Sequence, residues 1–237
     1  MRYKKRRTLA LLLFVLISVF ISLSRNTVSE APVKTKQTIT APPPGAVNAL
    51  SAADELPVKT RAAHYGYSRD EFLSDWGKSG NCDMRNLILS RDMDKTFVDP
   101  SDGCKVIRGE LNDPYTGRII EFQRGFSTSE AVQIDHVVAL SDAWQTGAQG
   151  LSADDRNRLA NDPLNLLAVD GPANQEKSDG DASEWLPPNI GYRCRYVARQ
   201  IAVKLKYHLW LTSAEKDAIE RQLRTCPDQV LPIEASR

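Results

Sequence analysis

The chain is poor in histidine, and its few cysteines are not arranged for metal binding. It has three histidines and four cysteines, and no two cysteines form a C-x-x-C pair. Structural zinc sites commonly take half of their tetrahedral ligand set from such a pair. The sequence therefore argues against a zinc centre and leaves the cysteines for another role.

The chain also lacks a strong charge of either sign, with 31 basic and 30 acidic residues. Five of the basic residues lie at the N-terminus without an acid among them: Arg2, Lys4, Lys5, Arg6 and Arg7. Without them, 26 basic residues face 30 acidic ones, a net charge near −4. A strongly basic body would have favoured nonspecific nucleic-acid binding. Here any such contact must come from a local basic patch or a bound cation.

One long apolar run is present, over residues 9–23, directly after the basic N-terminal cluster. This order is typical of a secretory signal. Ser22 and Ser24 place small residues where cleavage after Ser24 requires them, so residues 1–24 are predicted to be a signal peptide. The run is slightly long, which leaves an uncleaved signal anchor as the alternative. The expected location is secreted or anchored at the outer face of the plasma membrane, with membrane contact only through this segment.

All four cysteines follow the signal segment, and an even number in an exported chain predicts two disulfides. They are Cys82, Cys104, Cys194 and Cys226. Three connectivities are open to four cysteines. The pairing of 82 with 104 and of 194 with 226 is favoured, because each closes a short loop within one predicted substructure.

Composition divides the rest of the chain into three parts. Residues 25–61 are rich in Thr, Ala, Pro, Val and Ser without apolar periodicity, which predicts a disordered linker. Residues 62–226, about 165 in number, have an ordinary size for one domain. Residues 227–237 are predicted to be a poorly ordered tail.

Within that domain, local patterns predict an α+β fold with a small sheet flanked by several helices. Helices are expected over residues 70–78, 82–93 with Asn81 as N-cap, 152–160 and 192–207. Two further helices are expected to begin at the Gly171-Pro172 pair and at a capping box over residues 212–215. Strands are expected over residues 104–111 and 118–122, as a hairpin, and over 132–134 and 164–169.

Three of these elements carry a set of polar residues suited to hydrolysis. Asp135 and His136 follow the strand over 132–134, Asn165 belongs to the next strand, and Asn174 and Lys177 share one face of the helix after it. Neutral His136 can accept a proton from water as a general base. Such a strand–strand–helix unit predicts hydrolysis of phosphodiesters.

The remaining roles follow from the side-chain chemistry. Asp135 points away from its neighbour on a strand, so it must reach a metal through distortion at the strand end. Asn174 can add an amide oxygen to Mg²⁺, and Asn165 suits a role in fixing the loop or the ring of His136. Lys177 or Arg124 is expected to bind phosphate.

At these residues the chain resembles the HNH, or ββα-metal, endonucleases. The N-x-x-K ending, Asn174 to Lys177, also resembles the HNH domain of RNA-guided CRISPR nucleases. More widely, the chain resembles secreted bacterial HNH proteins related to the C-terminal domain of GmrSD-type restriction enzymes. The stretches that carry this likeness are CDMRN (82–86), DPYTG (113–117), IDHVVALSDAW (134–144) and residues 161–177.

The resemblance implies His136 as the base, Asn165 as the central asparagine, and Asp135 and Asn174 as ligands of Mg²⁺ or Mn²⁺. Gln133 stands where the CRISPR domains have a second acid. The expected substrate is DNA, with RNA as an alternative, and no obligate protein partner is inferred.

Two functions are therefore weighed. The first is a secreted or surface-tethered, metal-dependent endonuclease, which the presence of all four residues of the set favours. The second is a noncatalytic extracellular binding module on an HNH scaffold, which the net negative charge of the mature chain favours.

Overall fold

The computed structural model describes residues 46–73 and 75–232. The predicted signal segment, residues 25–45 of the predicted linker and the last five residues lie outside the described residues. Within the described ranges, no helix is long and apolar enough to cross a membrane.

The described residues form an α+β fold, as expected from the sequence. Its helices are α1 (Ala49–Asp54), α2 (Met84–Asp92), α3 (Leu140–Gln145), α4 (Ala153–Asn161), α5 (Gly171–Lys177), α6 (Arg193–Lys206) and α7 (Ser213–Leu223). Its strands are β1 (Lys78–Ser79), β2 (Cys82–Asp83), β3 (Met93–Val98), β4 (Val106–Asn112), β5 (Ile119–Gln123), β6 (Val132–His136) and β7 (Leu166–Asp170). Short 3-10 turns lie at Arg69–Glu71, Ser129–Ala131, Ala148–Gly150 and Ile190–Tyr192.

The folded part begins before residue 62, so the predicted linker boundary is wrong. Helix α1 lies within the expected linker, and its alanine face is buried in the core formed with α6 and α7. The backbone of Ala49 donates to Gln229 O at 2.8 Å, and Leu231 N donates to Val47 O at 2.9 Å. The start of the expected tail is therefore ordered as well, because it pairs with the segment around α1.

The helix expected over residues 70–78 is absent, and this prediction is wrong. Among the residues of this stretch that the structure describes, which exclude residue 74, the 3-10 turn Arg69–Glu71 is the only helical turn, and β1 begins at Lys78. The turn between β1 and β2 needs Gly80, whose φ of +61° favours glycine. The next helix begins at Met84, and its cap is Asp83 rather than Asn81, since Asp83 Oδ1 accepts from Asn86 N at 2.7 Å.

The predicted hairpin is confirmed as β4 and β5, and β3 extends it to a three-stranded antiparallel sheet in the order β3-β4-β5. Strand β3 was not expected, because Met93 was placed at the end of the preceding helix and no element was predicted for the residues directly after it. The predicted disulfide Cys82–Cys104 is confirmed and joins β2 to the segment before β4.

Strands β6 and β7 form a separate antiparallel pair in which His136 lies opposite Leu166. Helices α3 and α4 fill the connection between them, and α5 follows β7 directly. The predicted strand–strand–helix order is therefore present, with Asn165 just before β7. Gly171 opens α5 against the loop before β6, where a Cβ would lie 2.0 Å from Glu130 O, so only glycine fits.

Side chains cover the outer edge of β7. Asp92 Oδ2 accepts from Ala168 N at 2.9 Å, and Asp113 Oδ1 accepts from Asp170 N at 2.8 Å. Arg91 donates to Leu166 O at 2.7 Å. An exposed strand edge is a site for unwanted pairing, and here charged side chains satisfy its backbone groups instead.

The C-terminal helices form a hairpin that the second predicted disulfide, Cys194–Cys226, closes. The capping box predicted for the last helix is confirmed, since Thr212 and Glu215 exchange hydrogen bonds at the start of α7. Helix α6 contributes apolar residues to two of the three core clusters, where it packs with residues of β7 and of α4.

Candidate functional site

His136 ends β6 and is held from two sides. Its Nε2 lies 2.9 Å from Ala160 O of α4, and its ring stacks on Trp76 with 5.9 Å between centroids and 7° between planes. A carbonyl accepts only, so Nε2 carries the proton and Nδ1 is the acceptor nitrogen. Only 4% of His136 is exposed.

The surroundings of His136 favour its neutral form. Burial lowers its pKa from 6.5 to about 3, while the bond to Ala160 O opposes this shift and the charges of Arg69 and Lys177 add to it. The ring therefore remains neutral at pH 7. Activity that depends on His136 should thus survive acidification through the usual histidine range, and an acid limit within that range is not expected.

Asn165 lies at the base of the loop that follows His136 and is fully buried. Its side-chain oxygen accepts from Val138 N at 2.8 Å, and its amide donates to Val138 O at 3.2 Å. Its own backbone oxygen accepts from Val137 N at 2.8 Å. These bonds tie the backbone after His136 to the residue that precedes β7. Among the described residues, the His136 ring is not a hydrogen-bond partner of Asn165.

Asp135 lies on the opposite face of β6 from the His136 ring, as alternation along a strand requires. Its Oδ1 accepts from Lys177 Nζ at 2.9 Å, and its Oδ2 accepts from the hydroxyl of Tyr115. Burial raises the pKa of Asp135, while Lys177 and Tyr115 lower it. Lys177 also donates to His136 O at 2.9 Å, and both members of this ion pair are buried.

The other residues expected at the site lie in three different settings. Asn174 faces β6, where its amide donates to Gln133 Oε1 at 2.9 Å. Lys177 is only 2% exposed, so its ammonium is not presented to a phosphate in solution. Arg124 donates to Val106 O and to Asn86 Oδ1, each at 2.6 Å, and thus serves the sheet region.

These contacts test whether a divalent cation fits the expected ligands. Gln133 and Asp135 share one face of β6, since they are two positions apart, and α5 contacts both, through Asn174 and Lys177. Both carboxylate oxygens of Asp135, however, already accept hydrogen bonds, one from the ammonium of Lys177 and one from the hydroxyl of Tyr115. The set as arranged does not fit a divalent ion, because binding would require Lys177 to leave Asp135.

A second acidic group lies between the helices, where the ligand atoms of Asp142, Asp181 and Glu215 are within 4.8 Å of one another. Lys204 Nζ lies 3.1 Å from Asp142 and 2.7 Å from Glu215. Arg61 lies 2.9 Å from Asp181. Two cations already occupy the interior of this group, so it is an ion-pair network of the fold.

Two residues of the site were not identified from the sequence. Tyr115 lies in the DPYTG stretch, where its neutral side chain gave no sign of a partner 20 positions away. Trp76 was assigned to a helix that does not form. No local pattern predicts that its indole lies on an imidazole 60 positions later.

The segments that carry His136 and Asn165 lie within a span that a family model matches. The model of the GmrSD restriction endonucleases, C-terminal domain, matches residues 83–222. The chain belongs to this family. The matched span contains the whole β6–β7–α5 unit and ends within α7, whereas Trp76 precedes it.

A curated relative in a fungus supports the same extent of similarity. An uncharacterized secreted protein of Arthroderma benhamiae is 38% identical over 200 residues, covering 84% of this chain and 92% of its own length. The resemblance seen in the sequence was to bacterial proteins, whereas this relative is fungal. No solved structure matches this chain significantly.

Proposed function

We propose that this protein is a secreted endonuclease of the HNH type that hydrolyses phosphodiester bonds, with DNA as the expected substrate and RNA as the alternative. Membership of a family of restriction-endonuclease domains supports a nuclease-like function. The observation that carries the proposal is the setting of His136. It ends β6 with Nε2 bound to the carbonyl of Ala160, which leaves Nδ1 as the acceptor nitrogen.

The chemistry assigned to His136 is proton transfer. Its Nδ1 accepts a proton from a water molecule whose oxygen forms a bond to phosphorus, while the bond from phosphorus to the 3′-oxygen breaks and the leaving 3′-oxygen takes up a proton from solvent. General-base help of this kind contributes on the order of 10²–10⁴ in rate. Asn165 contributes by holding the backbone that follows His136, through its two bonds to Val138.

Mg²⁺ or Mn²⁺ at Asp135 and Asn174 stays a prediction. Its support is that α5 contacts both Gln133 and Asp135 on one face of β6, and its difficulty is the ion pair of Asp135 with Lys177. The proton transfer proposed for His136 does not require it. Metal dependence is a separate arm of the experiment below.

An extracellular location belongs to the same proposal. The relative in A. benhamiae is named as a secreted protein, and disulfides persist in oxidising compartments. Both cysteine pairs of this chain are joined. Secretion with removal of residues 1–24 is checked by N-terminal sequencing of the protein recovered from culture medium.

The noncatalytic binding module remains the second candidate, because the imidazole is covered by Trp76 and the Asp135 carboxylate is neutralised. Supercoiled plasmid DNA and a structured RNA are incubated with protein from the medium, in Mg²⁺, in Mn²⁺ and in EDTA. The nuclease proposal predicts nicked or linear plasmid in at least one metal buffer. Intact DNA and RNA under every condition, with the protein folded, would favour the binding module.

A further inference from the structure

Trp76 lies between the 3-10 turn Arg69–Glu71 and β1, upstream of the span that the family model matches. Its indole is nevertheless stacked nearly parallel to the His136 imidazole, with 7° between the planes and 5.9 Å between centroids. The tryptophan is half-buried, and its packing extends to the core cluster beneath β6 and β7. A segment outside the matched domain thus contributes one wall of the candidate site.

The position of Trp76 is fixed by bonds on both sides of it in the chain. After it, Gly77 N donates to Asn161 Oδ1 at 2.7 Å, and Gly77 O accepts from Met84 N at 2.7 Å. A Cβ on Gly77 would lie 2.8 Å from Asn161 Cγ, so the close approach to α4 depends on glycine. Before it, Asn157 donates to Phe72 O at 3.1 Å.

Helix α4 therefore holds both the tryptophan and the histidine. Asn157 and Asn161 of α4 anchor the segment that bears Trp76, and Ala160 of the same helix supplies the carbonyl that binds His136 Nε2. A single hydrogen bond at Nε2 leaves the imidazole free to pivot about that bond. The Trp76 indole, stacked parallel to the imidazole, opposes this rotation.

We propose that Trp76 is a positioning residue for His136, which fixes the plane of the imidazole while Ala160 O fixes the position of Nε2. This inference rests on the proposed function for its catalytic meaning. A catalytic group that is misplaced by about 1 Å can lose roughly 10²-fold in rate. The indole would therefore act on turnover through the orientation of the base rather than through contact with substrate.

The test compares Trp76→Ala with the conservative Trp76→Phe, which keeps an aromatic face against His136. Turnover and KM are measured on plasmid DNA in the buffer that supports parental cleavage. We expect kcat to fall roughly 10- to 100-fold in Trp76→Ala with KM close to the parent, and Trp76→Phe to remain within a few-fold. Trp210→Ala is the matched control, because it removes another half-buried indole, one that packs on Lys59.

A second readout does not need activity. In NMR spectra the ring protons of His136 should show an upfield ring-current shift in the parent, lose it in Trp76→Ala and keep most of it in Trp76→Phe. If the parent protein cleaved no nucleic acid, the proposed function would be refuted. The NMR measurement would still decide whether Trp76 fixes the His136 imidazole. The inference is overturned if Trp76→Ala leaves the shift unchanged, retains parental kcat, or changes KM alone.

Discussion

Two neighbouring residues of β6 lie in opposite environments. Asp135 faces an interior of buried aromatic rings, where an ammonium and a phenol hydroxyl bind its carboxylate. His136 faces α4 and the segment around Trp76, where a carbonyl and an indole hold a neutral ring. Both residues belong to one short sequence pattern, yet they contact separate parts of the fold.

The difference shows how one motif combines two physical tasks. A buried ion pair is stable only while both partners remain, and it couples β6 to α5 through Lys177. A neutral imidazole with one nitrogen bonded retains an acceptor nitrogen for chemistry. We therefore expect substitutions on the Asp135 side to change stability first, and those on the His136 side to change turnover first.

The largest effect on stability is expected from Lys177→Met. The change leaves the buried carboxylate of Asp135 without its cation, which typically costs about 3–5 kcal/mol in free energy of unfolding. Urea denaturation measures it. The double variant Asp135→Asn with Lys177→Met should regain part of the loss, because it removes the unpaired charge as well.

Lys216→Met is the matched control for that experiment. Lys216 pairs with Asp54 and Glu220 on the surface, and such pairs contribute roughly 0–1 kcal/mol. If Lys177→Met cost no more than Lys216→Met, the Asp135 side of β6 would not have the structural role assigned to it.

A smaller loss is expected from Asn165→Ala, which lies between the two sides. The variant leaves Val138 N and O buried without their side-chain partner, at a cost of about 1–3 kcal/mol. Turnover should fall as well, since the backbone after His136 loses its anchor. Asn112→Ala, at an exposed position of β4, is the control. Parental stability and turnover in Asn165→Ala would exclude the anchoring role.

An effect that appears only as pH changes concerns buried charge away from β6, at Glu215. Burial raises its pKa from 4.5 to about 7, with Lys204 opposing the shift and Asp142 adding to it. Between these values the folded state binds more protons, so this group makes stability fall as pH rises from about 4.5 to about 7. The contribution is at most about 1.4 kcal/mol per pH unit.

Glu215→Gln removes that titration. The difference between the parent and variant curves of unfolding free energy against pH should therefore slope between pH 4.5 and 7 and be flat above 7.5. Equal slopes in both proteins would show that Glu215 does not titrate as its environment implies. Cleavage by Glu215→Gln at a pH where it is folded should remain parental, because its cluster belongs to the fold.

Local patterns were sufficient for the elements that carry the motif. Alternating apolar residues identified β6, the Gly171-Pro172 pair identified the start of α5, and the cysteine count with loop lengths identified both disulfides. The capping box at residues 212–215 identified α7. Each of these features depends on residues that are close in the sequence, or on cysteines that close a short loop. A local pattern is therefore enough to predict it.

What the sequence did not show depends on contacts between distant residues. Asp135 was expected to bind a metal, and nothing in the sequence indicates its contact with Lys177, which lies 42 positions later. A helix was expected over residues 70–78, but side chains of α4 bind the backbone at Phe72 and Gly77 instead. Helix α1 was assigned to a linker because its alanines gain their core role only against α6 and α7.

The most direct test of the account is plasmid cleavage by His136→Ala at matched concentrations of folded protein. We predict a loss of turnover on the order of 10²–10⁴, with far-ultraviolet circular dichroism unchanged. His208→Asn is the control, because His208 is exposed and its φ of 53° suits asparagine. Cleavage by His136→Ala at the parental rate, in the same buffer, would contradict the role of His136 as the base.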